Sequence, residues 1–236
     1  FEELTPHIHA VETGLSSDPA MNWRIEELDN LALVSNSDAH SAPKLGREAN
    51  VFNTEMSYKK IIEAMTGKKK ELEYTIEFYP GEGKYHLDGH RECGVRMTPK
   101  ETRKNNFLCT KCGKKVTVGV SHRVEDLASF KEGRKPEGAR PFKSIVPLPE
   151  IISEIEGRGV KTKTVQGVYM DILQKLGNEF YILLDASPGE IEDAGGERLR
   201  DAISRMREGN VHIEGGYDGE FGTIHIWGDE KGRDKV

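Results

Sequence analysis

The sequence predicts an α/β chain, and three observations carry that prediction. Apolar runs that read as strands alternate with helical patterns across the first 70 residues. Residues 71–78 alternate polar and apolar side chains with a period of two. Helical periodicity then returns from residue 149 onward.

The elements follow in order. Residues 7–12 read as a short strand. Asp18-Pro19 sets an N-cap carboxylate before a proline at the first helical position, so a helix is expected from there through Ile25 and Leu28. The apolar run 31–34 is expected as a buried strand leading into Ser35-Asn36-Ser37-Asp38-Ala39-His40. A second helix is expected over 57–65, and Lys68, Lys69 and Lys70 close this segment. In the next strand Leu72, Tyr74, Ile76 and Phe78 should be buried, while Glu71, Glu73, Thr75 and Glu77 should face water. Pro80-Gly81-Glu82-Gly83 ends it, and a glycine-punctuated module containing the cysteines follows over 85–120. Residues 132–141, rich in Gly, Pro and charge, read as a linker. Helices are expected over 149–156, over 165–176 with Val165, Val168, Tyr169, Ile172 and Leu176 on one face, and over 191–206. Residues 211–227 read as short strands around the turn Gly215-Gly216-Tyr217-Asp218-Gly219. Three domains result, at 1–70, 71–131 and 132–236.

Composition narrows the function. With 36% hydrophobic and 31% charged residues the chain should fold around several small cores, and no run of about 18 apolar residues provides a membrane-spanning helix. The start lacks the basic and apolar regions of a signal peptide, and it lacks Met, so residues upstream of Phe1 are expected to be missing. The net charge of −6 argues against nucleic acid, but it is unevenly spread. Residues 84–143 hold 15 Lys and Arg against 7 Asp and Glu, a basic module suited to meeting phosphate. A solvated Lys/Glu surface is the competing reading, and charge alone favours it.

The three cysteines, Cys93, Cys109 and Cys112, are an odd count in one window, which points to metal binding in a reducing cytoplasm rather than to disulfides. His90-Arg-Glu-Cys93 and Cys109-Thr-Lys-Cys112 each leave two residues between ligands, so a tight turn can aim both side chains at one ion. Two such turns complete a tetrahedral, closed and therefore structural Zn2+ site in a zinc-ribbon-like module. Thr98-Pro-Lys-Glu101 between them has the capping-box pattern of a short helix. His86 and Asp88 lie close by, and either can replace His90 or support it from outside the ligand set. Lys111, Lys114 and Lys115 flank the second knuckle, where they fit phosphate contact.

The turn Asp38-Ala39-His40 holds the other candidate ligands. Strand alternation would put both side chains on one side, at the C-terminal end of a strand, where α/β barrels display catalytic groups. A carboxylate and an imidazole so placed can bind a divalent ion; taken alone, the motif reads more readily as a hydrogen-bonded turn.

Its surroundings shift that balance. The stretch from Ala10-Val-Glu-Thr-Gly to Asp18-Pro19, then Leu33 to Ser41, Lys44-Leu-Gly-Arg47, Tyr85 to Gly94, Thr117 to Glu125, Pro147-Leu-Pro-Glu-Ile-Ile and Gly216 to Gly222 together resemble the endonuclease Q family over nearly the whole chain. The resemblance implies the C-terminal part of a PHP-type distorted β/α barrel, the zinc-ribbon-like module and a C-terminal α+β domain that contacts DNA. It also implies a DNA repair endonuclease that cuts on the 5′ side of deaminated bases (hypoxanthine, uracil, xanthine) or abasic sites, in double- or single-stranded DNA. A cluster of Mg2+, Mn2+ or Zn2+ ions would do the chemistry, with the family's last metal motif falling on Asp38 and His40. Earlier ligands would come from an N-terminal segment upstream of Phe1, without which this chain should be inactive. His7-Ile8-His9 looks like the family's first motif, but it precedes a stretch that comes late in the domain, so both are expected as strand residues; Glu12 lies near the site with its role open.

Lys44, Arg47 and Arg123 are further DNA-contact candidates, a surface salt bridge being an equal reading for the first two. Tyr85 and Phe107 are candidates to stack on a base turned out of the helix. The family can be tied to the sliding clamp by a short C-terminal motif, which residues 229–236 lack. Two other functions fit the residues: a PHP-type phosphatase on a small metabolite, distinguishable by turnover of a phosphate monoester, and a non-enzymatic zinc-ribbon nucleic-acid-binding protein, distinguishable by a metal content of one zinc per chain.

Overall fold

The computed structural model describes residues 2–67 and 71–228; the lysine run at 68–70 and the tail expected to lack a clamp motif lie outside the described residues. The chain forms two compact units, Phe1–Lys143 with Glu214–Thr223, and Ser144–Ile213 with Ile224–Val236. Residues 132–143, expected to open the last domain, thus fall in the first unit, as does the glycine turn after residue 213.

The first unit begins with a 3-10 turn, Glu2–His7, and β1 (Ala10–Glu12). The strand is shorter than expected: His7 closes the turn and His9 precedes the strand, so neither is a strand residue. β1 runs parallel to β2 (Ala32–Val34), with Ala10 opposite Ala32 and Glu12 opposite Val34. Parallel neighbours need a crossover, and this one carries α1 (Pro19–Asn22). Asp18 caps it as the sequence predicts, its carboxylate accepting from the Met21 N–H at 2.8 Å. The helix stops after one turn instead of reaching Leu28. The Asn22 amide turns back to the Ser17 hydroxyl and the Asp18 carbonyl, Ile25 is extended, and a separate 3-10 turn covers Glu26–Leu28.

β3 (Ala49–Phe52) was not expected; it pairs antiparallel with β4 (Leu72–Phe78), Asn50 opposite Thr75. Between them lies α2 (Tyr58–Thr66), N-capped by Ser57. β4 corrects the reading of its alternation. Leu72 and Ile76 are buried as predicted, but so are Thr75 and Glu77, the latter completely. This strand is central in the sheet β3-β4-β7; the Glu77 carboxylate is covered by the hydroxyls of Thr13 and Thr75, while Glu73 stays exposed as predicted.

In the cysteine module, β5 (Asp88–His90) and β6 (Val95–Met97) form a hairpin, followed by α3 (Pro99–Lys104) and α4 (Val120–Leu127). The Thr98/Glu101 capping box is present on both sides, at 2.8 and 3.4 Å. Val95, Met97, Cys109 and Val116 make a small core against which Cys93 packs. β7 (Phe142–Ile145), not expected from the sequence, forms directly after the stretch that read as linker.

The second unit is mainly helical: α5 (Leu148–Glu156), α6 (Lys163–Leu176), α7 (Pro188–Gly195) and α8 (Glu197–Arg207) pack around Leu148, Ile151, Ile152, Val165, Ile172, Ile191, Leu199, Ile203 and Met206. The single helix expected over 191–206 is two, because Gly196 takes φ +86° and turns the chain. A short pair, β8 (His212–Glu214) and β9 (Thr223–His225), closes the chain as the sequence predicts.

Candidate functional site

The cysteine group is built by two local turns. His90 ends β5, and the 3-10 turn Arg91–Cys93 closes on Gly94 at φ +58°. The second turn is closed by the Gly113 N–H donating to the Cys109 carbonyl at 2.9 Å and the Cys109 N–H donating to the Lys114 carbonyl at 2.7 Å. One ligand atom each from His90, Cys93, Cys109 and Cys112 then lies within 4.8 Å of the others, a set that can hold a metal ion. His90 Nδ1 and Cys112 Sγ are 3.6 Å apart, the edge expected for a tetrahedron with bonds of about 2.0 Å to nitrogen and 2.3 Å to sulfur.

The thiols are electrically unequal. Burial opposes charge on Cys109, yet backbone N–H groups of Cys112 and Lys111 aimed at its sulfur outweigh it and bring the thiol down to about 7. Cys93, hydrogen-bonded to Cys112, is pushed up to about 11. N–H groups aimed at a sulfur favour its thiolate, the form a metal takes. His86 and Asp88 are occupied elsewhere. Asp88 is fully buried, accepts from the Gly119 N–H at 2.7 Å and pairs with His122 Nδ1 at 2.5 Å. His86 Nε2 meets the Ser121 hydroxyl at 3.2 Å, and burial lowers its pKa.

The Asp38–His40 turn is a different kind of place. β2 ends at Val34, so the pair does not owe its arrangement to strand alternation. Asp38 instead takes φ +46°, and His40 Nδ1 lies 2.9 Å from the Asp38 carbonyl and 4.0 Å from its carboxylate. Their side chains are 70% and 86% exposed. Glu12, the last residue of β1, is exposed as well. Among the described residues no third carboxylate, imidazole or thiol joins this pair at metal-binding distance.

Two carboxyls that sequence reasoning placed elsewhere or passed over lie buried close to the ends of β1 and β2. Glu77 accepts from the hydroxyls of Thr13, at 3.0 Å, and Thr75, and burial raises its pKa all the same. Glu48 is 3% exposed; burial, with the Glu77 charge adding to it, pushes it up to about 8. The available signal was weak: a Glu at an alternating position of a strand reads as the wet face.

The expected DNA-contact residues are scattered in environment. Lys44, Lys111, Lys114, Lys115 and Arg123 are exposed. Lys111 Nζ donates to the Cys93 carbonyl at 2.7 Å, bridging the knuckles, and Lys114 Nζ lies 3.6 Å from Glu92. Arg47 is half-buried, its Nε donating to the Ser37 carbonyl at 2.8 Å. Tyr85 is 50% exposed, and the half-exposed Phe107 rests against the His122 ring with centroids 5.2 Å apart. His122, missed in the sequence, is therefore the buried centre of a small polar and aromatic group under the module.

Several known proteins resemble this chain over most of its length. Residues 147–210 match the MJ0043 C-terminal domain family. The uncharacterized protein MJ0043 of Methanocaldococcus jannaschii is 35% identical over 222 residues, 91% of this chain and 28% of that protein. The uncharacterized protein YqxK of Bacillus subtilis is 30% identical over 224 residues, 92% of this chain and 52% of that protein. The crystal structure of the lesion-specific endonuclease PfuEndoQ from Pyrococcus furiosus superposes with a TM-score of 0.85 at 30% identity, covering 97% of this chain and 57% of that one. A crystal structure of endonuclease Q in complex with a 27-mer duplex carrying an abasic lesion at the active site gives 0.82 at 30% identity, over 97% and 58%. Over nearly its whole length the chain is similar in sequence and fold to endonuclease Q, and it spans little more than half the length of the solved structures it matches.

Proposed function

We propose that this chain is part of a DNA repair endonuclease that hydrolyses the phosphodiester on the 5′ side of a deaminated base or an abasic site. The observation that carries the reading is the match at TM-score 0.85 to a lesion-specific endonuclease, together with a carboxylate and an imidazole displayed on an exposed turn after a parallel strand.

In this reading residues 1–70 are the C-terminal part of a PHP-type phosphoesterase domain, 71–131 the zinc module, and the mainly helical unit from Ser144 onward a domain that meets DNA. Asp38 and His40 supply two ligands of the catalytic metal cluster, and the others come from outside these 236 residues, so the chain alone is inactive. Divalent ions there would supply activated water and charge neutralisation at the phosphoryl oxygens. Lys44, Lys115 and Arg123 hold phosphates along the strand, and Lys111 and Lys114 do so beside the second knuckle. Tyr85 offers an exposed ring to an extruded base, and Phe107, 42% exposed and tilted against His122, is the second candidate. His90, Cys93, Cys109 and Cys112 hold a structural zinc.

The test is Asp38→Asn in the complete protein, assayed for nicking of duplexes containing hypoxanthine, uracil or an abasic site with Mg2+, Mn2+ or Zn2+ supplied. Losing a ligand that neutralises and orients the ions should slow nicking by roughly a hundredfold or more, several kcal/mol of transition-state stabilisation. Nicking at the wild-type rate would remove Asp38 from the metal site.

A further inference from the structure

The turn that displays Asp38 and His40 has no regular structure of its own, yet the three residues before Asp38 are each fastened by side chains from one neighbouring segment. The Ser35 N–H donates to Asn50 Oδ1 at 2.9 Å, and Asn50 Nδ2 donates back to the Ser35 carbonyl at 2.7 Å. A single side-chain amide thus pairs with the backbone of residue 35 much as an adjacent strand would. The same Nδ2 reaches Asn36 Oδ1 at 3.2 Å. Arg47 Nε donates to the Ser37 carbonyl at 2.8 Å, and its guanidinium lies 5.9 Å from the centroid of the Phe78 ring. Ser35 is itself fully buried, its hydroxyl donating to the Ile76 carbonyl of β4 at 2.9 Å.

These contacts have a common origin. Asn50 sits on β3 in register with Thr75 of β4, and Arg47 lies just ahead of that strand. The sheet therefore fixes residues 35, 36 and 37 in turn, and Asp38 enters the left-handed region directly after the last fastening. Asp tolerates that conformation better than most residues, but holding it still calls on the surrounding structure. Exposed side chains on an unfastened loop would sample many positions, whereas ligands of a metal cluster must be held to within a fraction of an ångström.

We propose that Asn50 and Arg47 are positioning residues that fasten the Asp38-Ala39-His40 turn in the geometry its metal requires. This rests on the reading of Asp38 and His40 as ligands. It also gives Arg47 a different task from phosphate binding, and the two are separable by chemistry. Lys at position 47 keeps the charge but has no Nε–H at that place and no planar group to lay against Phe78.

The experiment uses the complete protein with a lesion-containing duplex and Mn2+ as the probe metal, on Asn50→Ala, Asn50→Asp, Arg47→Lys and Arg47→Ala. Loss of groups that orient metal ligands typically changes metal affinity or activity by about 10–100-fold. Asn50→Ala and Arg47→Lys should therefore raise the half-saturating Mn2+ concentration or lower kcat by that factor, with DNA affinity in the absence of metal held near wild type. Asn50→Asp, which keeps the acceptor for the Ser35 N–H and loses both donors, should fall between. If Asn50→Ala does not fold, Arg47→Lys at a half-buried position decides the matter. Unchanged Mn2+ dependence and kcat in Arg47→Lys, with weaker DNA binding in Arg47→Ala, would overturn the proposal and make Arg47 a phosphate contact. Asp38→Asn, run alongside, separates the failures: if it nicks normally the metal-site reading falls, and if it is inactive while the Asn50 and Arg47 variants behave as wild type, only the positioning role falls.

Discussion

The cysteine module and the Asp38–His40 turn both offer metal-binding side chains, and they differ in nearly every physical respect. The module brings four ligand atoms within 4.8 Å of one another from two turns that local hydrogen bonds close by themselves. The turn offers two ligands, at 70% and 86% exposure, on a loop whose shape is set by side chains 10 to 15 residues further along the chain. The first arrangement fills a tetrahedron and leaves no place for a substrate, so it suits structure. The second leaves most of any coordination shell open, so it suits chemistry once completed. Closure separates the two roles more clearly than ligand type does.

The largest expected effect that sharpens this contrast concerns the closed group. Cys109→Ser should lower bound zinc by one ion per chain and destabilise the protein by more than about 4 kcal/mol, since structural zinc binding is folding energy. Zinc analysis with thermal melting checks this, and a fully zinc-loaded variant would show that Cys109 is not a ligand.

A smaller effect belongs to the buried carboxyls beside the open turn. Glu48, ordinarily near 4.5, is pushed up to about 8 by burial with the Glu77 charge adding to it. A carboxyl whose folded pKa is raised contributes stability that is fully present below the unfolded value and lost as the pH climbs through the folded one. The protein should therefore weaken between roughly pH 5 and 8 by about 2–5 kcal/mol, at about 1.4 kcal/mol per unit. Glu48→Gln should flatten that slope, and urea unfolding from pH 5 to 9 reads it directly; an identical slope in both proteins would mean that Glu48 titrates like an exposed group.

The smallest effect tests whether the module's lysines serve structure or DNA. Lys111 donates to the Cys93 carbonyl, so Lys111→Met should cost about 0.5–1.5 kcal/mol of stability. If Lys111 also holds a phosphate, the salt dependence of DNA binding should fall by about one unit of slope. A change in stability with no change in slope would leave Lys111 to the knuckles alone.

Local chemistry was legible in the sequence, and long-range chemistry was not. Spacing alone placed His90, Cys93, Cys109 and Cys112 together, and cap patterns alone placed Asp18 and the Thr98/Glu101 box, because each depends on a few consecutive residues. The strands β1 and β2 were also expected, the first longer than it is; their parallel pairing came only with the structure. The burial of Glu77 was not expected, because alternation tells which residues share a face of β4 but not whether the other face meets water or a second polar layer. β3 was too short and too polar, with Glu48 and Asn50 in or beside it, to stand out. The Asp38–His40 motif was visible, but the reason the turn holds its shape lies in Asn50 and Arg47, whose partners become apparent only once β3 is paired with β4. The break at Gly195-Gly196 was hidden by an apolar pattern that continues across it.

Metal content tests the central claim most directly. In the complete protein, purified without chelator and supplied with divalent metal, wild type should hold more than one ion per chain. Asp38→Asn with His40→Ala should lose the excess while keeping the zinc of the cysteine module. A wild-type protein that holds a single zinc, and a double variant with the same content, would contradict the assignment of this turn to a catalytic metal cluster.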